Sequence, residues 1–149
     1  MTEVRFYHLQ KQNLDEALPL ILEKAYASGH RTIVRMASED EAERMAGHLW
    51  SFRQQSFIPH GTKKDGNAAM QPIWITDDGE ENPNNAKTLI LTQGRTQDDI
   101  SSFELCCEML DGRNDNQVSE ARKRWKEYQS KGYDVTYWHQ SEEGTWEKK

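Results

Sequence analysis

Cysteine is nearly absent from this chain. The only two, Cys106 and Cys107, are adjacent. Neighbours in sequence are poor disulfide partners and no C-x-x-C motif is present, so both are read as reduced thiols. Long apolar runs are missing as well. None approaches the ~20 residues that span a bilayer. The opening Met1-Thr2-Glu3-Val4-Arg5 carries charge where a secretory signal would be apolar. The expectation is a cytoplasmic protein without membrane contact. Positive charge is in deficit: 19 Lys and Arg against 25 Asp and Glu leave −6, which disfavours a protein that coats duplex DNA with its whole surface.

The signatures of catalysis are also lacking. No GxxxxGK[ST] or GxGxxG follows any candidate strand, so the usual phosphate cradle is missing. The histidines at 8, 30, 48, 60 and 139 include no i, i+3 or i, i+4 pair, which excludes the common helical metal site. No serine stands in G-x-S-x-G, and neither cysteine has a basic neighbour in sequence to lower its pKa. Asp77, Asp78, Glu80 and Glu81 lack the alternation of a calcium loop and read as a solvated turn. The expectation is a protein with no catalytic site, no metal and no cofactor.

What is present is enough for one domain. The apolar fraction, 35%, is low and the mean hydropathy is −0.99. Yet five Trp, five Tyr and four Phe argue against disorder. At 149 residues, without repeats or a Pro/Gly/Ser linker, the chain reads as a single domain over 1–149. The polar segment 139–149 is expected to form a loose tail.

Val4 to Leu9 reads as an opening strand. Asn13 and Glu16 form a capping box for a helix whose apolar face is Leu14, Ala17, Leu18, Ile21, Leu22, Ala25 and Tyr26. Pro19 interrupts that pattern, so either the first turn is irregular or the helix proper begins near Pro19. Thr32–Ala37 is a second strand. Ser38 and Glu41 box a second helix carrying Ala42, Met45, Ala46, Leu49 and Trp50. Short connections of this kind suit βαβ units with parallel strands. Residues 60–71 read as a polar loop, 72–76 as a strand and 77–87 as an acidic loop. Thr88–Thr92 is an apolar strand suited to the centre of a parallel sheet. Residues 103–110 alternate as a strand does, which sends the two cysteines to opposite faces. Asp115 or Asn116 is expected to cap a last helix striped with Val118, Ala121, Trp125 and Tyr128, closed by Gly132. A short strand over 133–138 follows. The fold class expected is a three-layer α/β domain, Rossmann-like and of the mononucleotide-binding kind, with a mostly parallel sheet and helices on both faces.

Two constellations stand out. From Ser119 to Lys131 five basic residues, Arg122, Lys123, Arg124, Lys126 and Lys131, outnumber Glu120 and Glu127, with Trp125 among them. That pattern is either a solvated helix with an inward tryptophan or an anion-binding cleft with an aromatic wall, suited to an acidic peptide or to single strands. The second is Leu49-Trp50, then Ser56-Phe57-Ile58-Pro59-His60, where large aromatics leave a helix and enter a loop. One can close the core; an exposed one would anchor an interface.

Together these segments carry a resemblance. Phe6-Tyr7, Leu49-Trp50 with Ser56-Phe57-Ile58-Pro59-His60, Pro72-Ile73, and Ala121-Arg122-Lys123-Arg124-Trp125-Lys126-Glu127-Tyr128 running to Gly132-Tyr133 follow one another as in the chi subunit of bacterial DNA polymerase III holoenzyme. The resemblance implies a non-catalytic α/β adaptor in the clamp-loader assembly, reaching DNA indirectly. By that likeness Leu110, Arg122 and Trp125, with Val118, Lys126 and Tyr137 at the rim, would hold the acidic, Phe-terminated C-terminal tail of single-stranded DNA-binding protein. Trp50, Phe57 and Pro59 would contact a psi-like or other clamp-loader subunit. Val118 stands where a basic residue would help the tail cleft, and Arg113 is placed to supply that charge. Two further readings compete. One is a small nucleotide-binding or nucleotide-processing enzyme of the same fold. The other is direct binding of single-stranded DNA by the basic helix.

Overall fold

In a computed structural model that describes residues 2–51, 58–77, 81–141 and 146–148, seven strands form one sheet. They are β1 (Glu3–Leu9), β2 (Thr32–Arg35), β3 (Ile73–Thr76), β4 (Thr88–Leu91), β5 (Leu105–Asp111), β6 (Asp134–Gln140) and β7 (Trp146–Lys148). Their order across the sheet is β3-β2-β4-β5-β1-β6-β7. Every pairing is parallel except β6 with β7. Helices α1 (Leu14–Ala27), α2 (Glu39–Ser51) and α3 (Asp115–Ser130) complete the fold.

The two-residue period of the strands divides the core. Tyr7, Leu9, Val34, Ile75, Ile90, Cys107 and Met109 pack with α1 and α2. Val4, Phe6, Ile33, Leu89, Leu91, Cys106 and Leu110 pack with α3. The sheet is thus buried on both faces, which is why β4 reads as an unbroken apolar run. Cys106 and Cys107 are buried free thiols on opposite faces. Burial pushes the Cys107 thiol up to about 12, the inert state of a core cysteine.

Helix α1 begins at Leu14 with its capping box complete and continues through Pro19. Proline cannot donate to the carbonyl four residues back. That carbonyl belongs to Asp15, and it accepts instead from His48 Nε2 of α2 at 2.7 Å. The Asp15 carboxylate takes both arms of Arg44, also on α2, at 2.8 and 3.0 Å. The break that Pro19 makes in the helical ladder is therefore filled by the neighbouring helix. Helix α2 starts as expected, with Ser38 Oγ accepting from the Glu41 N–H at 3.2 Å.

Two expectations are corrected. The cap of α3 is Asn114, whose side chain accepts from the Gln117 N–H at 3.1 Å. Asp115 and Asn116 lie inside the helix, because Asn114 is the last residue with extended backbone. Nor does the fold end at 138. His139 and Gln140 belong to β6, and Trp146–Lys148 returns as the antiparallel edge strand β7. Trp146 sets its ring edge-on to Tyr7 at 5.0 Å. A single tryptophan in a polar segment has an apolar surface to reach, and it takes β7 with it.

Candidate functional site

The last helix is held by a buried ion pair. Glu108 of β5 is 2% exposed. Its carboxylate accepts from Arg124 Nε at 2.7 and 3.0 Å and from the Tyr128 hydroxyl at 2.6 Å. Burial, and then the Glu108 charge, push the Tyr128 phenol far above its ordinary value, so it remains a donor. Arg124 is thereby removed from the basic patch that the sequence suggested. Lys123 pairs with Glu120 at 3.3 Å on the outer surface. The C-terminus of α3 is closed by the Gly132 N–H to the Gln129 carbonyl and the Tyr133 N–H to the Tyr128 carbonyl. Gly132 has φ +86°, the left-handed conformation that such a cap requires.

With α3 anchored at Glu108, its Val118–Ala121–Arg122–Trp125–Lys126 edge overhangs β1 and β6. Between them lies a cleft of about 690 Å³. Leu110, Val118, Arg122, Trp125, Lys126 and Tyr137 all line it, so all six residues expected at a tail site are brought together. Its walls are aromatic. Phe6 meets Trp125 at 5.5 Å between ring centroids, and Trp125 meets Tyr137 edge-on at 6.0 Å. Burial raises the Tyr137 phenol, and the nearby Arg122 charge draws it back down. Arg122 and Lys126 are exposed and make no hydrogen bond or ion pair among the described residues. Among the described residues no carboxylate lines the cleft.

Phe6, His8, Gln10 and His139 also line it and were not expected there. The signal for the first three was the period of two along β1, which puts 6 and 8 on one face and runs on to 10 just past its end. What the sequence withheld was the partner strand. The parallel register sets Phe6 against Tyr137 and His8 against His139. The Tyr137 hydroxyl hydrogen-bonds His8 Nδ1. Gly112 closes the turn from β5 to α3 over that ring. A Cβ there would strike the His8 imidazole and come within 2.7 Å of the Leu9 carbonyl.

Arg113 does not serve the cleft. It pairs with Asp111 at 3.5 Å and lines a separate crevice of about 360 Å³ beyond the carboxyl ends of β1 and β5. There the chain leaves β1 for α1 on one face and β5 for α3 on the other. Such switch points hold nucleotides in many doubly wound folds. Here the Asn13 and Asn114 side chains occupy the helix N-termini. Asp15, Glu16 and Asp115 put negative charge in the first turns, which opposes a phosphate.

The second expected surface is partly described. Trp50 is 58% exposed, with its ring 4.5 Å from that of His60. Pro59 is half-buried and Ile58 is buried. Phe57 lies outside the described residues. In the acidic loop, Asp77 pairs with Lys63 at 3.3 Å, and the Glu81 carbonyl accepts from the buried Arg35 at 2.6 Å. Among the described residues no group of three or more His, Cys, Asp or Glu could hold a metal. No described helix is long and apolar enough to cross a membrane.

Comparison with known proteins points one way. A family model described as DNA polymerase III chi subunit, HolC, matches residues 1–136. A Rickettsia prowazekii protein named probable DNA polymerase III subunit chi is 34% identical over 91 residues; the match spans 61% of this chain and 54% of that relative. Proteins named DNA polymerase III subunit chi are 26% identical in Pseudomonas aeruginosa, over 89% of this chain and 93% of the relative, and 24% identical in Haemophilus influenzae, over 74% and 76%.

Proposed function

Since the chain belongs to the DNA polymerase III chi subunit family, we propose that it is an adaptor whose α3 cleft holds the acidic C-terminal tail of single-stranded DNA-binding protein. One observation carries this reading: Arg122 and Lys126, two exposed cations with no partner among the described residues, border an aromatic and aliphatic cleft that no described carboxylate lines. A tail rich in Asp and ending in Phe supplies both complements. Its carboxylates form charge-assisted hydrogen bonds with the guanidinium, and its terminal ring finds the apolar wall of Phe6, Leu110 and Trp125. DNA is then reached through the partner, in keeping with the net charge of −6.

The test is fluorescence polarisation with a labelled peptide ending in Asp-Ile-Pro-Phe. Binding that nearly disappears when the terminal Phe is removed supports the reading. A truncated peptide that binds as well as the full one reduces the cleft to a generic basic patch and sinks it.

We assign the other half of the adaptor to the Trp50 face. An indole more than half exposed and seated on His60 is the kind of anchor that dominates protein interfaces, and Pro59 and Phe57 extend the patch in sequence. The partner proposed is a psi-like or other clamp-loader subunit. Trp50→Ala should abolish its co-purification and leave peptide affinity intact. Retained co-purification overturns this half alone. The nucleotide reading is not favoured, because the crevice where a nucleotide would sit is closed by its own caps and acids.

A further inference from the structure

The cleft has two stations along its floor. At the first, Phe6 and Tyr137 face each other across β1 and β6 beneath Trp125. At the second, one step further along both strands, stand His8 and His139, followed by Gln10 just past the end of β1. The fixed cations Arg122 and Lys126 come from α3. His139 Nδ1 is buried and makes no hydrogen bond among the described residues.

We propose that His139, beside His8, is a second anion subsite of this cleft, receiving an acidic side chain of the bound tail as an imidazolium–carboxylate pair, so that tail binding takes up a proton. The proposal rests on the tail reading above and adds a chemistry to it. A neutral imidazole offers one donor and one acceptor, whereas an imidazolium offers two donors and a charge. A carboxylate only accepts, so its arrival favours the charged form. Histidine is the side chain whose ordinary titration falls between pH 5 and 8.

The groups around His139 set the sign. Across the cleft, Arg122 and Lys126 of α3 oppose a further positive charge, as does any charge on His8 of β1. On its own strand Tyr137 contributes a phenol that burial keeps protonated. From β5 the cleft receives the uncharged Leu110. On β7, Glu147 is the register partner of His139 and favours the charge. The carboxylates of a bound tail neutralise Arg122 and Lys126, which removes the opposition. The bound state therefore holds more protons than the free state, and affinity rises as pH falls.

The experiment is titration calorimetry of the full chain with an acetylated acidic peptide ending in Asp-Ile-Pro-Phe, at pH 6 and pH 8, in two buffers of different ionisation enthalpy. Aspartates titrate near 4, so the peptide does not contribute in this range. The dissociation constant should be lower at pH 6 than at pH 8 by about fivefold, with about half a proton taken up at pH 7. In His139→Gln the two pH values should give the same affinity. In the parent protein, a peptide with its upstream Asp changed to Asn should take up fewer protons; this arm needs no protein variant. Binding that depends on Arg122 but shows no pH dependence overturns the subsite and leaves the tail reading standing. So does a pH dependence that survives in His139→Gln. A peptide that binds at neither pH overturns both.

Discussion

The cleft under α3 and the crevice beyond the ends of β1 and β5 share strand β1 and part company in chemistry. In the crevice every charge has been answered from within. Arg44 is engaged by Asp15 and Glu41, Arg113 by Asp111, and both helix N-termini by asparagine caps. In the cleft, Arg122 and Lys126 are answered by nothing among the described residues, and aromatic rings stand beside them. By fold position alone the crevice is where a doubly wound sheet would bind its ligand. The contrast teaches that a recess becomes a site through the charge and apolar surface it leaves unmatched, and that topology only offers the space.

The comparison can be broken most severely at Glu108. Glu108→Ala leaves Arg124 buried without its partner and releases the wall of the cleft from the sheet. Loss of one member of a buried pair costs about 3–5 kcal/mol, so urea unfolding should show a drop of that size, and peptide binding should vanish with it. A variant of parent stability would mean that α3 is held by its apolar stripe alone.

Arg122→Ala should act on the ligand without touching the fold. Loss of a charge-assisted hydrogen bond weakens peptide binding by about 1.5–3 kcal/mol, read by polarisation, while the thermal midpoint stays in place. Unchanged affinity in a folded variant would remove Arg122 from the site.

Asn13→Ala sharpens the other side of the contrast. It removes the cap of α1 and should cost about 1 kcal/mol of stability, with no change in peptide affinity. It also opens the crevice. If nucleotides then raise the thermal midpoint, the cap is what keeps them out; if they already do so in the parent protein, the crevice is a site after all.

The smallest effect is that of salt. Raising ionic strength from about 0.1 to 1 M shortens the Debye length from ~10 to ~3 Å. Peptide affinity should fall moderately, because Arg122 and Lys126 are exposed, and removal of the terminal Phe should remain the larger loss at every salt concentration. A peptide released entirely by salt would assign all the binding to charge.

Much of this architecture was legible locally. The Asn13 box, the α1 and α3 stripes, the Gly132 stop and the opposed cysteines each depend on residues within a few positions of one another. The misses were long-range. Nothing near Arg124 says that Glu108, sixteen residues earlier, will take it inward. Nothing near His139 says that β6 will lie beside β1 in a register that makes it the neighbour of His8. Asn114 was overlooked because two further capping residues follow it. Strand β7 was overlooked because its cause, the ring contact of Trp146 with Tyr7, spans almost the whole chain. The six site residues came together because they sit on α3 and on the strands that flank it in sequence. Their companions on β1 could be found only once the sheet was assembled.

That assembly has a consequence for the order in which the protein is made. The floor of the cleft is β1 beside β6, residues 3–9 against 134–140. During synthesis β1 is made long before β6 and must wait for it to pair its outer edge. Until then the outer edge of β1 presents a bare row of amides and carbonyls, the kind of edge that seeks other partners. The cleft thus takes its final shape only when β6 docks beside β1. A chain cut short before β6 would lack Tyr137 and His139, and with them one side of the floor of the cleft.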